Sequence, residues 1–294
     1  QGFYDKVGFG TGAYEQWIKF DPANLIVERE FRAPKRLGIR DFESMYYAMQ
    51  NRHREHGGVT IDAKGILKSE LNFTDNGFGL GYYDGPNGTL SHFIWGTVKG
   101  EHGPFEINIR AYQTTDQLIE LLALIKSMAD QINLVELLEF GEIQLQDLLK
   151  HPFRERRTTE HARFSSMSLS MAYWQARILD LDACLAKTHL ESEPLRFNLE
   201  LSDPVIKSLP ETSNWPGIGG DYVVQLGPDS FAEPGKDHQL PTLSASVGAF
   251  TRLWLGVRSA SQLAKTTHLG ANSELLARLD RTVRLPRPHL GWDF

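Results

Sequence analysis

The chain has 294 residues, with 31 Lys and Arg against 37 Asp and Glu, for a formal net charge of −6. That length accommodates two well-packed domains, and the mild acidity argues against the basic footprint of a nucleic-acid binder. The single cysteine, Cys184, excludes an intrachain disulfide, and ten histidines without cysteine partners or a repeated ligand spacing supply no metal motif. No apolar run reaches the ~20 residues that a membrane helix needs, and the first residues lack the basic stretch and apolar core of a secretory signal. A cytoplasmic location with no membrane partner is the expectation.

In chain order, the glycine-rich turn Gly8–Gly12 leads into Ala13–Phe20, which carries aromatic residues on both faces and predicts a strand ended by Asp21-Pro22. A helix is expected over Ile39–His56. Asp41 would cap its start, Phe42, Met45 and Met49 form one stripe, and Gly57-Gly58 ends it. A turn signal at Asp84–Gly88 separates two strand-like runs and predicts a hairpin. The glycines at 77, 79 and 81 lack the intervals of a dinucleotide or phosphate loop, so a bulge or tight hairpin is expected there. Phe105, Ile107, Ile109 and Ala111 alternate with Glu106, Asn108 and Arg110, the period of a half-buried strand. Thr115 then opens a helix whose Leu118, Leu121, Leu122, Ile125 and Met128 recur at helical spacing, and Ile132–Phe140 gives another strand.

The charged bend Phe153–Phe164 reads as a solvated connection. Beyond it, Tyr173–Leu179 predicts a strand, Asp180 caps a short helix, and Leu195, Phe197, Leu199 and Leu201 alternate until Asp203-Pro204. Asp221–Gly227 predicts one more strand. Three short helices close the chain: one carries Val247, Phe250 and Trp254, one is capped by Ser259, and one is capped by Asn272 or Ser273 and buries Leu275, Leu276, Leu279 and Val283. The order predicts α/β plus α+β: a mixed-sheet α/β domain followed by an α+β domain.

Three segments carry a family resemblance. Phe3-Tyr4-Asp5-Lys6-Val7-Gly8-Phe9 is similar to the end of the catalytic domain in many GNAT-family acetyltransferases. Tyr173–Leu190, and the run from Leu253 to Val283 followed by Trp292-Asp293-Phe294, resemble the third domain of Eis-like N-acetyltransferases. The resemblance implies residues 1–24 as the C-terminal remnant of a catalytic GNAT domain. It implies 25–165 as a second GNAT-like domain without a cofactor motif, and 166–294 as a domain shaped like a sterol carrier protein whose C-terminus reaches the active site. The Gln/Arg-x-x-Gly-x-Gly/Ala signature that cradles the acetyl-CoA pyrophosphate is absent. The chain also starts without methionine, inside a motif. Most of the catalytic domain, and the main acetyl-CoA contacts, are therefore expected upstream, and the chain is expected to be incomplete.

The implied reaction moves an acetyl group from acetyl-CoA to a cationic primary amine. A phenol beside a developing thiolate can return its proton, the role the resemblance gives Tyr4 as general acid. A main-chain carboxylate is a charged acceptor at pH 7, and the resemblance gives that of Phe294 the task of orienting or deprotonating the amine. Trp292 and Asp293 are the expected substrate-binding neighbours, and Tyr4 and Phe294 are expected to share one cleft. His289, between Pro288 and Leu290, reads as structural. The resemblance also implies a homo-oligomer. Two rival readings stand beside this one: a binder of lipid or another hydrophobic ligand in the third domain, and a non-catalytic structural fragment.

Overall fold

The computed structural model describes residues 2–153, 155–157 and 163–292. They form two compact units: among the described residues, one comprises those within 15–171 and 289–292 and the other those within 2–14 and 172–288.

The first of these is built on a seven-stranded sheet in the order Met167–Met171, Glu15–Phe20, Val135–Leu138, Phe105–Ala111, His92–Val98, Phe78–Tyr82 and Lys35–Leu37. All neighbours are antiparallel except Phe105–Ala111 with Val135–Leu138, which are parallel and joined by the Thr115–Ser127 helix. Parallel neighbours need such a crossover because a tight turn can only reverse the chain. Strand His92–Val98 is buried along nearly its whole length. Its Ile94 joins Phe20, Phe105, Ile107 and the buried stripe of the crossover helix. Phe93 and Trp95 join Met45 and Met49 of the Phe42–Gln50 helix and Leu67 and Leu71 of the Lys64–Phe73 helix. Alternate residues of one strand thus feed two cores, which is why the run is apolar without a polar face.

Glycines 79 and 81 lie within strand Phe78–Tyr82, against Trp95 and Phe93 of the next strand. A Cβ at Gly79 would come within 3.1 Å of the Trp95 ring, and one at Gly81 within 2.8 Å of the Phe93 Cβ. They make room for aromatic side chains and do not form a phosphate cradle.

The other unit holds a five-stranded sheet in the order Phe231–Pro234, Gly220–Leu226, Leu195–Ser202, Thr242–Ser246 and Leu269–Gly270. Leu195, Phe197, Leu199 and Leu201 pack with Phe250 and Leu253 of the Val247–Trp254 helix and with Leu275 and Leu279 of the Ser273–Thr282 helix. The side chains of Asp180, Ser259 and Asn272 accept main-chain N–H bonds at the three helix starts where caps were expected. Just past the end of strand Leu195–Ser202, Asp203 forms an ion pair with Arg177 at 2.6 Å, with both side chains almost wholly buried. Asp203 also accepts from the amides of Val205 and Ile218, so its charge is fully engaged.

Several expectations are corrected. The divisions at 24/25 and 165/166 do not bound the compact units: Glu15–Phe20 pairs in register with Met167–Met171 in one sheet. Residues 10–11 pair instead with Gln175–Ala176, and residues 289–292 pack with the first sheet, not with the domain that precedes them in sequence. The helix expected through His56 stops at Gln50, where the chain turns off to place residues 52–59 against the C-terminal segment. Asp41 does not cap that helix; its carboxylate accepts from the Gly38 amide at 2.8 Å and closes a one-turn 3-10 helix. The crossover helix begins at Thr115, and Thr114, just outside the first turn, caps it by accepting from the Gln117 amide. The strand expected over Tyr173–Leu179 is reduced to Gln175–Ala176. The Lys64–Phe73 helix and the Thr242–Ser246 strand are additions. That helix buries only Leu67 and Leu71, too sparse a stripe to register as a period.

Candidate functional site

In the seven-stranded unit, a cavity of about 50 Å³ lies between the end of the Phe42–Gln50 helix, the strand Phe105–Ala111 and residues 289–292. That volume holds one or two water molecules. Arg52, Glu55, Tyr112, Phe140, His289 and Trp292 are among its lining residues. The C-terminal segment enters this wall by main-chain bonds: the His289 amide donates to the His56 carbonyl at 2.8 Å, and the Leu290 carbonyl accepts from the Val59 amide at 2.9 Å.

Arg52 closes the arrangement. Its Nε donates to the Gly291 carbonyl at 3.1 Å, Nη1 to Met49 at 2.7 Å and Nη2 to Val59 at 2.6 Å. Its guanidinium lies 5.3 Å from the Trp292 ring centroid. Burial, with Arg54 adding to it and Glu55 opposing, pulls Arg52 down to about 10. Glu55 is nearly buried, and its Oε2 lies 3.4 Å from His289 Nδ1. Burial raises the Glu55 carboxyl above the ordinary carboxylate range, against the opposing pull of Arg110 and a hydrogen bond from the Gly141 main chain. A Cβ at Gly141 would stand 2.0 Å from Glu55 Oε2, so a side chain there would force the carboxylate to move. Burial and the neighbouring Glu55 push the Tyr112 phenol up to about 12. His53 lies over the Tyr112 ring at 6.0 Å and reaches Glu142 at 3.1 Å. The cavity is too small for an acyl donor; its groups hold the C-terminal segment.

A second polar cluster joins Asp84, His92 and Glu120, whose ligand atoms lie within 4.8 Å of one another. The residues come from a hairpin turn, a strand and a helix, so no ligand spacing in the sequence announces them. A guanidinium occupies the position a cation would take: Arg32 donates to Glu120 at 2.9 and 3.1 Å and forms a two-bond pair with Asp84. His92 Nε2 meets Glu120 Oε2 at 2.9 Å, and Nδ1 meets Ser91 Oγ at 2.8 Å. Burial lowers His92, with Glu120 opposing. Burial raises the Glu120 carboxyl, but the bonds from Arg32 and His92 outweigh it and hold it below the ordinary range. This is a compensated ion network across a strand and a helix.

Of the residues singled out in the sequence, Tyr4 lies on the Gly2–Asp5 helix in the five-stranded unit, half exposed, with its ring edge-on to Phe3 and Phe9. Its carbonyl accepts from the Val7 and Phe9 amides, so the turn that follows is closed around it. Trp292 lies in the seven-stranded unit and is buried among Leu37, Met45, Met49, Trp95 and Ile109, an anchor more than a pocket wall. Asp293 and Phe294 lie outside the described residues. His289 is buried beside Glu55, consistent with a structural place. Arg52, Glu55, Tyr112 and Gly141 escaped sequence reasoning. The one signal for them was the ionisable run Arg52–His56, absorbed there into the preceding helix.

Residues 181–291 match the family described as "Sterol carrier protein domain". No curated protein matches the sequence. Among solved structures, the chain is similar over its whole length to a probable N-acyltransferase from Enterococcus faecalis V583, at 21% identity and a TM-score of 0.76, covering 70% of that chain. A GCN5-related N-acetyltransferase from Anabaena variabilis gives 14% identity and a TM-score of 0.72, with 100% of this chain and 71% of that one covered. Eis1 from Mycobacterium abscessus gives 13% and 0.65, with 99% and 71% covered. The mixed α/β architecture of this chain is therefore that of GCN5-related acetyltransferase structures, with a sterol-carrier-like segment toward its end. These alignments extend over essentially all of this chain and about 70% of each of those chains. Among the described residues, no helix is long and apolar enough to cross a membrane.

Proposed function

We propose that the protein acts as an N-acyltransferase, moving an acetyl group from acetyl-CoA to a cationic primary amine. The observation that carries the reading is the Tyr4 motif on a chain whose whole fold is similar to a probable N-acyltransferase and a GCN5-related N-acetyltransferase of solved structure. The amine nitrogen adds to the thioester carbonyl carbon, and collapse of the tetrahedral species breaks the C–S bond. Tyr4, whose side chain is half exposed, returns a proton to the departing thiolate. The carboxylate of Phe294 orients the ammonium and takes its proton directly or through water, and Asp293 adds negative charge that favours a cationic acceptor. Trp292 serves this site by seating the segment that carries them.

The experiment is thiol release by the protein with acetyl-CoA and a panel of primary amines. Tyr4→Phe keeps the ring contacts with Phe3 and Phe9 and removes only the hydroxyl. It should lower turnover by about 10²-fold or more while leaving stability within about 0.5 kcal/mol. Absence of amine-dependent thiol release across the panel defeats the enzyme reading. Normal turnover in folded Y4F defeats the role of Tyr4 alone.

The sterol-carrier match supports a second reading, a hydrophobic-ligand binder. Small-molecule pockets occupy roughly 300–1,000 Å³. In the five-stranded unit, the enclosed apolar gap lined by Leu190, Leu226, Phe250, Leu253 and Val283 offers about 0 Å³ to a water-sized body, and the groove of about 620 Å³ beside the sheet is edged by the polar side chains of Glu200, Asp221, Ser244 and His268. Organic extraction of the purified protein followed by mass spectrometry tests it, and stoichiometric lipid would favour this second reading.

A further inference from the structure

We propose that Arg252 and Arg258, beside the turn that follows Tyr4, form an anion site that takes a phosphate group. Under the acyltransferase reading that group is one of the phosphates of acetyl-CoA; the anion binding itself does not rest on that reading. All the residues that build the site belong to the five-stranded unit. Arg252 stands in the last turn of the Val247–Trp254 helix and Arg258 in the bend that follows it. The start of the chain lies directly on that helix. A Cβ at Gly10 would come within 2.3 Å of the Gly248 carbonyl oxygen and 2.7 Å of the Arg252 Cγ, so the missing side chain lets the arginine stem pass along the backbone. The Tyr4 carbonyl accepts from the Val7 and Phe9 amides, and a few residues of closed turn therefore separate Tyr4 from the glycine that Arg252 touches.

What sets Arg252 apart is an unmet donor. Its Nε is buried and has no hydrogen-bond partner among the described residues. Burial and the like charge of Arg258 draw the guanidinium below its ordinary pKa, with Asp5 and Tyr14 opposing. Arg258 gives one bond, from Nη1 to the adjacent Val257 carbonyl at 2.9 Å, and its guanidinium lies 5.4 Å from the centroid of the Tyr14 ring. Arg287 brings a third cation to the same tyrosine, donating to its carbonyl at 3.4 Å. Two other arginines withdrawn from water are satisfied from within the chain. Arg177 also has an idle Nε, but Asp203 neutralises it at 2.6 Å, and Arg52 spends its donors on three carbonyls. Among the described residues Arg252 has neither kind of partner. A guanidinium partly removed from water without an acceptor is costly, and a bound anion removes that cost. Both arginines are only half buried, so an anion from solution can reach them. A tetrahedral dianion suits the place, because its oxygens accept from two guanidinium forks at once and its charge offsets the repulsion between them.

The test uses the whole protein with Arg252→Met and Arg258→Met. Isothermal titration with inorganic phosphate, against chloride at matched ionic strength, should show one site in the wild type. Affinity should fall about tenfold or more in either variant, the usual consequence of losing a charged hydrogen bond. In phosphate-free buffer R252M should unfold no earlier than the wild type, since the charge it removes has no partner; earlier unfolding would mark Arg252 as a prop of the fold and overturn the inference. With an active amine, the preference in kcat/KM for acetyl-CoA over S-acetylpantetheine, which lacks the phosphates, should fall about tenfold in both variants. Phosphate binding lost in the variants while that preference stays intact would keep the anion site and overturn its assignment to acetyl-CoA. Should R252M not fold, R258M carries both binding measurements. No phosphate binding beyond the chloride control, or equal affinity in the wild type and the folded variants, overturns the inference. A wild type inactive toward every amine would sink the acyltransferase reading, and the phosphate titration would still decide the anion site.

Discussion

Replacing Arg32 by methionine is the sharpest test of the ion network around Glu120. The substitution keeps most of the aliphatic stem and deletes the guanidinium. Asp84 is 43% exposed, so water can take over its solvation and its loss contributes little. Glu120 is 4% exposed and loses two charge-assisted bonds, at 2.9 and 3.1 Å. Stranding a buried carboxylate in this way costs about 3–5 kcal/mol. Two groups soften the blow: His92 remains at 2.9 Å, and Arg29, 39% exposed and 3.5 Å away, can swing inward. The expected loss is therefore about 2–3 kcal/mol, or about 5–10 °C in the unfolding temperature for a unit of this size. Arg32→Met combined with Glu120→Gln should recover part of that loss, because no buried charge is then left alone. The sign of the pH dependence follows from the direction of the Glu120 shift. A carboxyl held below its ordinary 4.5 contributes stability that is present above that value and lost as pH falls through the folded-state value. The gap between wild type and R32M should thus close under acid conditions. Thermal and urea unfolding followed by circular dichroism between pH 3 and 7 gives the measurement. A loss below 1 kcal/mol at pH 7, or a rise in wild-type stability on adding a divalent metal, would refute the assignment of this cluster as an ion network completed by Arg32.

Glu55 should behave in the opposite sense. Its carboxyl is raised, so the stability it lends is fullest when it is protonated and is lost as pH rises from about 4.5 through the folded-state value. Glu55→Gln should make the protein more stable at pH 7 and flatten the decline of its unfolding temperature as pH rises above about 4.5; an unaltered pH profile would remove Glu55 from that account. Gly96 faces Ile107 at a bulge between two central strands, and a Cβ there would lie 2.0 Å from the Glu106 carbonyl oxygen. Gly96→Ala should cost about 1–3 kcal/mol in chemical unfolding. Gly65→Ala, in a helix with nothing within 4 Å of the new Cβ, should instead gain about 0.5–1 kcal/mol.

Much of the local structure was legible without coordinates. The period-2 runs at Phe105–Ala111 and Leu195–Ser202 are strands with the expected inward residues, and the hairpin around Asp84–Gly88 joins the two strands foreseen there. Asp180, Ser259 and Asn272 cap the helices they were expected to cap. These features are encoded within a few residues, by side-chain spacing and by the reach of a short polar group to the first turn, so reading along the chain recovers them. Tyr4 could be singled out for a similar reason, because its motif is contiguous.

The tertiary structure decided the rest. Glu15–Phe20 joins a sheet with residues 167–171, and residues 289–292 return to that same unit after a whole domain has intervened. No local period records either step. Arg52, Glu55, Tyr112, Gly141 and His289 converge on one small cavity from four stretches of chain, and Asp84, His92 and Glu120 converge with Arg32 from four more. In sequence none of them stands in a motif that marks it out. Burial makes them distinctive, because only in a water-poor interior does a lone charge become costly enough to require a partner at a definite place. That requirement is met by residues distant in the chain, and so it is visible only once the chain has folded.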